Sequence, residues 1–544
     1  MGLVCIAYFS KVKLMKNNAI TFVRTLMLLF AGALMGIWFS NENLRGNRFF
    51  LSGGDKLQRV VKLVHDRYVD SVDIDSLEGK SVNQLLQDLD PHSLYLPPQR
   101  AQSINERLDG GFFGVGVEYL MLDDTLYVSQ VLPGGPAAKA GIESGDRVIR
   151  FNDHNLAGAH LTTGKIDSIF RGGKNTDVQL SVLGPNSSKI KVVKLKRDRV
   201  DLSSIDAAYM IAPATGYVKV SKFAATTDRD FKAALKKLKA AGMQKLVLDL
   251  RDNGGGYLSA ATAMADEFLP AGKLIMFTKG VHEPRTDYFA TDSGLFEKGK
   301  LAVMINEYSA SASEILAGAL QDLDRATIVG RRSFGKGLVQ EQFPFADGSA
   351  VNLTIARYYT PSGRSIQKSY KDGADSYHNE LAARMQKGEL FSEKSNLDDS
   401  LFKQPAKYHT ANGRKVFSGG GIMPDVFVPA DTTGNTELLY SLSNRQLFMG
   451  FVLQKLQAKL AKYRSFDDFS KGFAVNDAMF TDFVVYATKT LKQLDSGQIR
   501  QSEKKMCLYI KAFAARFKWG DDGYFKTINE SDITLKTAIK CANE

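Results

Sequence analysis

The sequence has little histidine. Only seven histidines occur among 544 residues, and none stands in a recognised catalytic-triad motif. His92, which follows Asp90 and Pro91, has no cysteine or histidine partner at the spacing of a metal site, so we interpret it as a structural histidine in a turn. The pattern excludes a histidine triad motif and a zinc motif. We expect no metal and no other cofactor.

The sequence also lacks the marks of a nucleic-acid-binding protein. Its formal charge is +12, but residues 1–50 carry a net +5, and removing them leaves +7. The remaining basic residues are spread along helical stretches such as 232–239 and 504–518, without aromatic interleaving or zinc spacing. We interpret them as a solvated basic face that can be attracted to an anionic membrane surface, and we expect no nucleic acid partner.

Long apolar runs are confined to the N-terminus. Three lysines precede an apolar stretch, residues 19–39, which only Arg24 interrupts. The uncharged part, 25–40, is shorter than the roughly 20 residues of a full span, so a cleaved signal peptide and an anchor with a snorkelling Arg24 are both open. Basic residues before the stretch favour a location of the domains that follow it outside the cytoplasm, in the periplasm or another extracytoplasmic space. Met15 is an alternative start of the chain.

Cysteine is almost absent. Cys5 lies in the N-terminal segment, which leaves Cys507 and Cys541 in what would be an oxidising compartment. A disulfide between these two is a hypothesis.

Near the middle of the chain, an apolar run leads into consecutive glycines. Residues 246–250 predict a buried strand that ends in the turn Gly254, Gly255, Gly256. Such a turn leaves backbone N–H groups free, and they can be aimed at the oxygen that becomes negative in a tetrahedral intermediate. This turn predicts half of an oxyanion site.

A serine follows at the predicted start of a helix. Residues 301–305 predict a second strand, and the small-residue run 309–313 leads into a helical pattern. Ser311 is therefore the candidate nucleophile, with the Ala312 amide as an oxyanion donor, because a helix N-terminus offers unpaired N–H groups and partial positive charge. The alternative is structural, since Ser311 and Glu314 match a capping box.

A lysine among glycines and apolar residues is the candidate base. Burial at Lys336 would disfavour the ammonium form and leave an amine able to accept the serine proton. Even spacing in a strand would place Lys336, Leu338 and Gln340 on one face, so the glutamine carbonyl could orient the amine by a hydrogen bond. Serine, lysine and glutamine together indicate acyl transfer.

These three stretches, in this order, resemble the carboxy-terminal processing (tail-specific) peptidases. The resemblance implies that Ser311 is the nucleophile, Lys336 the general base and Gln340 the residue that positions it.

The resemblance also implies two oxyanion donors. By position these are the Ala312 amide and the amide of Gly255 or Gly256. The family often has proline where this chain has Gly254, a departure that loosens the turn.

Upstream, the stretches 110–118, 128–142 and 145–151 resemble a PDZ domain. In such a domain a chain end pairs with an exposed sheet edge while loop amides capture its carboxylate. The resemblance places the helix that flanks the peptide groove from residue 137 onwards. It places the substrate carboxylate at the amides of Phe113, Gly114, Val115 and Gly116.

We therefore predict a multidomain α/β protein with a ClpP/crotonase-like peptidase core, an inserted or preceding PDZ domain and flanking helical regions. The segment 368–406 is polar and insertion-like, and its role is open. The predicted divisions are a signal peptide or membrane anchor at 1–45, an N-terminal helical region at 46–107, the PDZ domain at 108–196, the peptidase core at 197–432 and a C-terminal helical domain at 433–544.

The predicted function is a serine endopeptidase with a Ser-Lys dyad that binds protein C-termini and cleaves near the tail of envelope proteins. The alternatives are a catalytically silent PDZ scaffold that holds protein tails and a crotonase-type acyl-CoA enzyme. The N-terminal segment would contact the membrane. A homodimer and an adaptor or lipoprotein partner are left open.

Overall fold

The computed structural model describes residues 54–185, 187–292, 294–392 and 408–544. The chain divides into two units, 1–85 and 86–544. The predicted signal or anchor segment, with Cys5 and Met15, lies outside the described residues. None of the helices in the described ranges has the length and apolar character that a membrane crossing requires. The first two helices are α1 (Gly54–Arg67) and α2 (Ile74–Gln87).

A small β domain follows and has a core of its own, formed by side chains between Val115 and Leu195. Its main sheet is antiparallel in the order β3-β4-β5-β7-β8, with β6 on β5, and β2 pairs separately with β9. The elements from residue 94 to residue 201 are β1 (Leu94–Leu96), α3 (Pro98–Leu108), β2 (Gly111–Gly114), β3 (Val117–Leu122), β4 (Thr125–Val131), α4 (Pro136–Lys139), β5 (Arg147–Phe151), β6 (His154–Asn155), α5 (Thr163–Phe170), β7 (Asp177–Leu183), β8 (Ile190–Lys196) and β9 (Asp198–Asp201).

Helix α5, and not the turn after Pro136, lies beside the edge strand β3. The Tyr119 hydroxyl of β3 is 2.8 Å from Asp167 Oδ1 and 3.1 Å from the Thr163 carbonyl oxygen of α5. The expectation that the groove helix starts near residue 137 is therefore wrong. Residues 136–139 form a single turn, α4, and pack against β8.

The central part of the chain contains a six-stranded sheet in the order β10-β11-β12-β15-β16-β21, parallel except for the antiparallel pair β10 and β11. The predicted strands at 246–250 and 301–305 are observed as β12 and β15. The elements of this part of the chain are β10 (Ile205–Ala212), β11 (Thr215–Val220), α6 (Thr227–Ala240), β12 (Lys245–Asp249), α7 (Leu258–Asp266), β13 (Leu274–Lys279), β14 (Thr286–Phe289), β15 (Lys300–Ile305), α8 (Ala312–Asp322), β16 (Thr327–Gly330), β17 (Leu338–Pro344), β18 (Ala350–Tyr359), α9 (Ala374–Gln386), β19 (Tyr408–His409), β20 (Lys415–Val416) and β21 (Val426–Phe427).

Helices cover both faces of this sheet. Leu246 and Leu248 of β12 pack towards α6, α7 and α8, and Val247 between them packs on the opposite face. Side chains of consecutive strand residues point to opposite faces, so a strand covered on both sides reads as a continuous apolar run. This coverage explains why β12 contains three consecutive fully buried aliphatic residues.

A second sheet, in the order β1-β18-β13-β14 with β17 on the other edge of β18, shows how the β domain is connected. Leu94, Tyr95 and Leu96 of β1 pair antiparallel with residues 350–352 of β18. The sheet therefore combines β1, which precedes the β domain in the sequence, with strands that follow the β domain. Of the two predicted arrangements, inserted or preceding, the structure shows the inserted one.

The C-terminal part is helical. Its elements are α10 (Glu437–Asn444), α11 (Leu447–Phe451), a π-helical turn (Val452–Leu456), α12 (Gln457–Leu460), α13 (Phe466–Gly472), α14 (Asp477–Leu491), α15 (Ser496–Ile528) and α16 (Ile533–Asn543). Helix α15 is kinked at Trp519 and Gly520, where the backbone is not helical. Leu120 and Leu122 of β3 pack against the core of these helices, whereas α16 leaves them and packs on the back of the six-stranded sheet.

The two cysteines of this part are both free, which contradicts the disulfide hypothesis. Cys507 follows Met506, a core residue of the helical domain, on α15. Cys541 lies on α16 and packs on the sheet. The two thiols thus belong to different packing environments.

Candidate active site

The glycine turn after β12 is held by a buried asparagine. Asn253 donates from Nδ2 to the Val220 carbonyl at 3.0 Å, and its Oδ1 accepts the Gly255 N–H at 2.9 Å. Gly255 has φ +101°, and a Cβ placed on it would lie 2.8 Å from Ser311 Cβ. Only glycine allows this backbone conformation so close to the serine.

The same contacts distinguish the candidate oxyanion donors. The Gly255 amide is engaged by Asn253, whereas Gly254 and Gly256 line the cavity that contains Ser311. The Phe223 N–H donates to the Gly255 carbonyl, and the Phe223 carbonyl accepts the Tyr257 N–H. Gly256 lies between these two bonds in a parallel bridge, so its own N–H faces away from Phe223. Of the two glycines predicted from sequence, Gly256 is the one whose amide has no partner among the described residues.

Ser311 lies at the start of a buried helix. It precedes Ala312, the first residue of α8, and has φ +56°, which is unusual for a residue with a side chain. Every residue of α8 is buried. Strained backbone at a helix N-terminus occurs at functional sites, where the surrounding structure holds it in place.

Glu314 connects the serine to the loop that carries the lysine. Its Oε2 accepts the Ser311 N–H and the Lys336 N–H, both at 2.9 Å, and its Oε1 accepts the Gly335 N–H at 2.7 Å. Burial raises the pKa of this carboxyl to about 7, and the hydrogen bonds that it accepts oppose the rise. The glutamate of the capping-box pattern therefore joins two loops and does more than cap the start of a helix.

Lys336 and Gln340 are in contact. Lys336 Nζ donates to Gln340 Oε1 at 2.8 Å, which is the hydrogen bond expected from the sequence. Lys336 lies just before β17, which begins at Leu338, so the pair is not formed by two residues of one strand. Burial lowers the pKa of the Lys336 amine, and Asp90 and Glu314 partly oppose this shift.

One cavity of about 270 Å³ brings these groups together. Gln340 Nε2 is buried there without a partner in the described residues. The Tyr358 hydroxyl lies 2.6 Å from the Lys336 carbonyl oxygen and 3.0 Å from that of Ser311, and so ties the two loops a second time. The rest of the lining is mixed, with the polar side chains Asn105, Gln342 and Asn352 beside the apolar or aromatic residues Ile104, Leu108, Tyr257, Leu258, Ile315, Leu338 and Val339.

Comparison with known proteins gives matches in three parts of the chain. Residues 214–373 match the model of peptidase family S41, residues 127–183 match a PDZ domain, and residues 438–520 match a family of unknown function.

Among curated proteins, a carboxy-terminal-processing protease of Bartonella bacilliformis is 36% identical over 58% of this chain and 71% of its own. A probable CtpA-like serine protease of Staphylococcus aureus is 32% identical over 63% of this chain and 69% of its own. The chain belongs to this family of serine peptidases. The peptidase is thus a hydrolase of the S41 family with a PDZ domain and additional helical regions.

Two solved structures also align with the peptidase. The photosystem II D1 C-terminal processing protease is 28% identical, with a TM-score of 0.34, over 58% of this chain and 84% of that one. The PDZ domain of a carboxy-terminal protease from Vibrio cholerae, solved with a peptide, is 28% identical, with a TM-score of 0.16, over 17% of this chain and 99% of that one.

The predicted carboxylate-binding residues of the PDZ domain are partly engaged by backbone pairing, since Phe113 and Gly114 belong to β2 and pair with β9. The Val115 N–H donates to the Phe170 carbonyl at 3.1 Å, and the Phe113 carbonyl accepts the Gly172 N–H at 3.3 Å. Gly114 forms a bridge with Arg171, and Gly116 has φ +85°. Among the four predicted carboxylate-binding positions, the Val115 amide therefore has a backbone partner at the end of α5.

Sequence reasoning missed the ion pairs behind the glycine turn. Arg251 pairs with Asp249 and with Asp532, each at 2.7 Å, and Lys219 lies 3.5 Å from Asp249. Asp249 is the last residue of β12 and Arg251 follows it closely, and a buried strand that ends in charged residues could have indicated a pair. Asp532 precedes α16 and gave no local signal.

Proposed function

We propose that the peptidase is an endopeptidase that uses Ser311 as nucleophile and Lys336 as general base, with Gln340 as the residue that positions the base. The observation that carries this proposal is that Ser311, Lys336 and Gln340 all line one cavity. Ser311 stands strained at the start of α8, and the desolvated Lys336 amine is bound to Gln340 Oε1. A neutral amine that donates one hydrogen to Gln340 keeps its lone pair for the serine proton.

The reaction then proceeds by acyl transfer. Lys336 Nζ accepts the proton of Ser311 Oγ as this oxygen bonds to the scissile carbonyl carbon, and the carbonyl oxygen becomes negative. The Ala312 and Gly256 amides stabilise that oxygen. The ammonium gives its proton to the departing amine as the C–N bond breaks. Water then attacks the ester with the same amine as base, releasing the acid and restoring the serine.

Tail recognition is the finer part of the proposal. Strand β3 is at the edge of the PDZ sheet and is paired only with β4 within the described residues. An extended substrate C-terminus adds to this edge, and its carboxylate binds amides of residues 113–116 once the Val115 N–H separates from the Phe170 carbonyl. The cavity around Ser311 then receives the chain at the cut.

We further propose that the substrates are envelope proteins, because the apolar N-terminal segment directs the catalytic domains to an extracytoplasmic space. Peptide mapping of the cellular protein for residues 1–14 and 15–40 tests whether the segment is cleaved or retained. Recovery of neither from a secreted or periplasmic form indicates a signal peptide. Recovery of 25–40 from a membrane fraction indicates an anchor.

The decisive experiment uses residues 41–544 and an unstructured protein with an apolar C-terminal tail, with cleavage followed by intact mass. We expect internal cleavage by the parent and none by Ser311→Ala. Ser496→Ala is the control, because Ser496 is an exposed serine at the start of α15. Tail binding without cleavage by the parent would overturn the proposal in favour of a PDZ scaffold.

A further inference from the structure

The loop that carries Lys336 is packed against a helix outside the family match. The S41 match ends at residue 373, and α9 begins at Ala374. This helix belongs to the polar, insertion-like segment 368–406, for which the sequence indicated no role. Its buried side chains, Tyr377 and Arg384, both face the residues around the base.

Arg384 binds the backbone of the loop directly. Its Nη2 donates to the Arg332 carbonyl at 2.8 Å and its Nη1 to the Ser333 carbonyl at 3.2 Å. Its Nε donates to Glu389 Oε1 at 3.0 Å. The side chain is only 4% exposed, so all three bonds form in a site from which water is largely excluded.

A buried network of charges fixes this arginine in turn. Glu389 also accepts two hydrogen bonds from Arg332, at 2.7 and 3.0 Å. Glu380 of α9 pairs with Arg332 at 3.1 Å and with Lys368 Nζ at 2.9 Å. Each charge of the network has an opposite partner, which favours one position of the Arg384 side chain. Arg384 in turn holds the loop through its bonds to the carbonyls of residues 332 and 333.

Aromatic rings close the other side of the same loop. The Tyr377 hydroxyl is 2.7 Å from His92 Nε2, and the rings of Tyr377 and Phe334 are 5.9 Å apart. Lys368 Nζ lies 3.9 Å from the centre of the Phe334 ring. Gln367 Oε1 accepts the Gly337 N–H at 2.8 Å, so the residues on both sides of Lys336 are bound.

We propose that α9 is a positioning element for the general base, and that Arg384 is the positioning residue through which it acts. The inference rests on the proposed role of Lys336. Arg384 touches neither substrate nor nucleophile in this arrangement. It holds the carbonyls of residues 332 and 333, and thereby the backbone that leads to the lysine.

The proposal predicts a change in the pH profile. Around Lys336, Asp90 and Glu314 favour the ammonium form, burial disfavours it, and His92 is a neutral neighbour whose pKa is lowered to about 3 by burial and by Lys336. Loosening the loop would admit water to the amine, favour the ammonium form and raise the pKa of the base. Activity would then require a higher pH.

The test measures kcat/KM from pH 6 to pH 10 for the whole chain from residue 41, with Arg384→Ala, Arg384→Lys and Lys387→Ala. We expect Arg384→Ala to lose roughly 10- to 100-fold at pH 7, the size of effect that a misplacement of about 1 Å produces. Its rising limb should lie at higher pH than that of the parent. Arg384→Lys should fall between the two, because an ammonium does not reproduce the fork of a guanidinium. Lys387→Ala, an exposed cation at the end of α9, should match the parent.

The outcomes separate cleanly. If the parent is inactive, or if its activity does not depend on both Ser311 and Lys336, the proposed function itself is overturned. An active parent whose Arg384→Lys variant keeps the parental pH limb, at whatever rate, overturns the positioning role and leaves α9 a structural element. If Arg384→Ala does not fold, Arg384→Lys decides alone, with its thermal midpoint measured beside it.

Discussion

The catalytic centre and the edge of the PDZ domain are built in opposite ways. The backbones of Ser311 and Lys336 are held together by hydrogen bonds to the side chains of Glu314 and Tyr358. Buried Asn253 holds the glycine turn. Strand β3 of the PDZ domain is half-buried along its whole length, and Val115 just before it is bound by a backbone hydrogen bond to the end of α5. Under the proposed function, the difference teaches that the reacting groups are preorganised, whereas tail recognition would require the hydrogen bond between Val115 and Phe170 to be exchanged.

Replacing the base should give the largest effect. Lys336→Met keeps the length and removes the amine, and we expect kcat to fall by at least about 10³-fold, the scale seen when a member of a nucleophile–base pair is lost. Because burial disfavours the ammonium, the thermal midpoint should not decrease. Calorimetry beside the assay checks both. A lower midpoint together with the lost activity would mean that Lys336 also supports the fold.

Glu314 tests whether preorganisation matters as much as the reacting groups. Glu314→Gln replaces one acceptor oxygen by an amide that would face N–H donors, so we expect an activity loss of roughly 10- to 100-fold and a loss of about 1–3 kcal/mol in the free energy of unfolding. Urea unfolding and initial rates measure the two. Glu437→Gln, an exposed glutamate in the first turn of α10, is the control. Parental values for Glu314→Gln would remove the role assigned to this carboxylate.

The pH dependence should differ between the two regions. Because the proposed mechanism requires a neutral Lys336, kcat/KM should rise about tenfold per pH unit below the pKa of this amine, which burial holds below its usual value of 10.5. Binding of a tail peptide to the PDZ edge involves backbone amides and should stay nearly constant over the same range. Parallel rate and anisotropy titrations check this. Binding that follows the rate would contradict the separation.

The carboxylate of the substrate should matter only at the PDZ domain. Amidation of the tail removes a charge-assisted acceptor from the amides of residues 113–116, and we expect KM to rise about tenfold, corresponding to a loss on the order of 1.4 kcal/mol, with kcat unchanged. Matched free-acid and amidated substrates give the comparison. A fall in kcat instead would indicate that tail binding also switches the catalytic centre.

The smallest effect is expected where the PDZ domain meets the C-terminal helices. Arg516 pairs with Glu118 of β3 at 3.1 Å, but both side chains retain access to water. Arg516→Ala should therefore lower the free energy of unfolding by no more than about 1 kcal/mol. Leu120→Ala, which removes packing against the same helices, is the sharper probe of this contact in urea unfolding. An Arg516 effect larger than that of Leu120→Ala would contradict this order.

Much of the centre could be predicted because its parts lie in short local motifs. An apolar run followed by glycines predicts β12 and its turn, and the spacing from Lys336 to Gln340 predicts their contact. The reason for that contact was only partly predicted, since β17 starts after the lysine. The choice between Gly255 and Gly256 depends on Asn253, whose side-chain direction no local pattern specifies.

The parts that sequence did not reveal depend on partners far away in the chain. Arg384 reaches the loop of Lys336 through an ion-pair network, and Asp532 reaches Arg251 across the back of a sheet. Single charged residues on predicted helices read as solvated, because nothing local says that they will be buried. The groove helix was misplaced for a related reason, since only tertiary pairing shows which helix lies along β3.

The position of α16 affects the order in which the fold can be completed during synthesis. Residues 533–543 cover the rear face of a sheet whose strands were all translated earlier, and Asp532 neutralises the arginine beside the glycine turn. During synthesis, the rear face of the sheet stays exposed and Arg251 lacks its bond to Asp532 until residues 532–543 have left the ribosome. The rear of the core is therefore completed only after residues 533–543 have been synthesised.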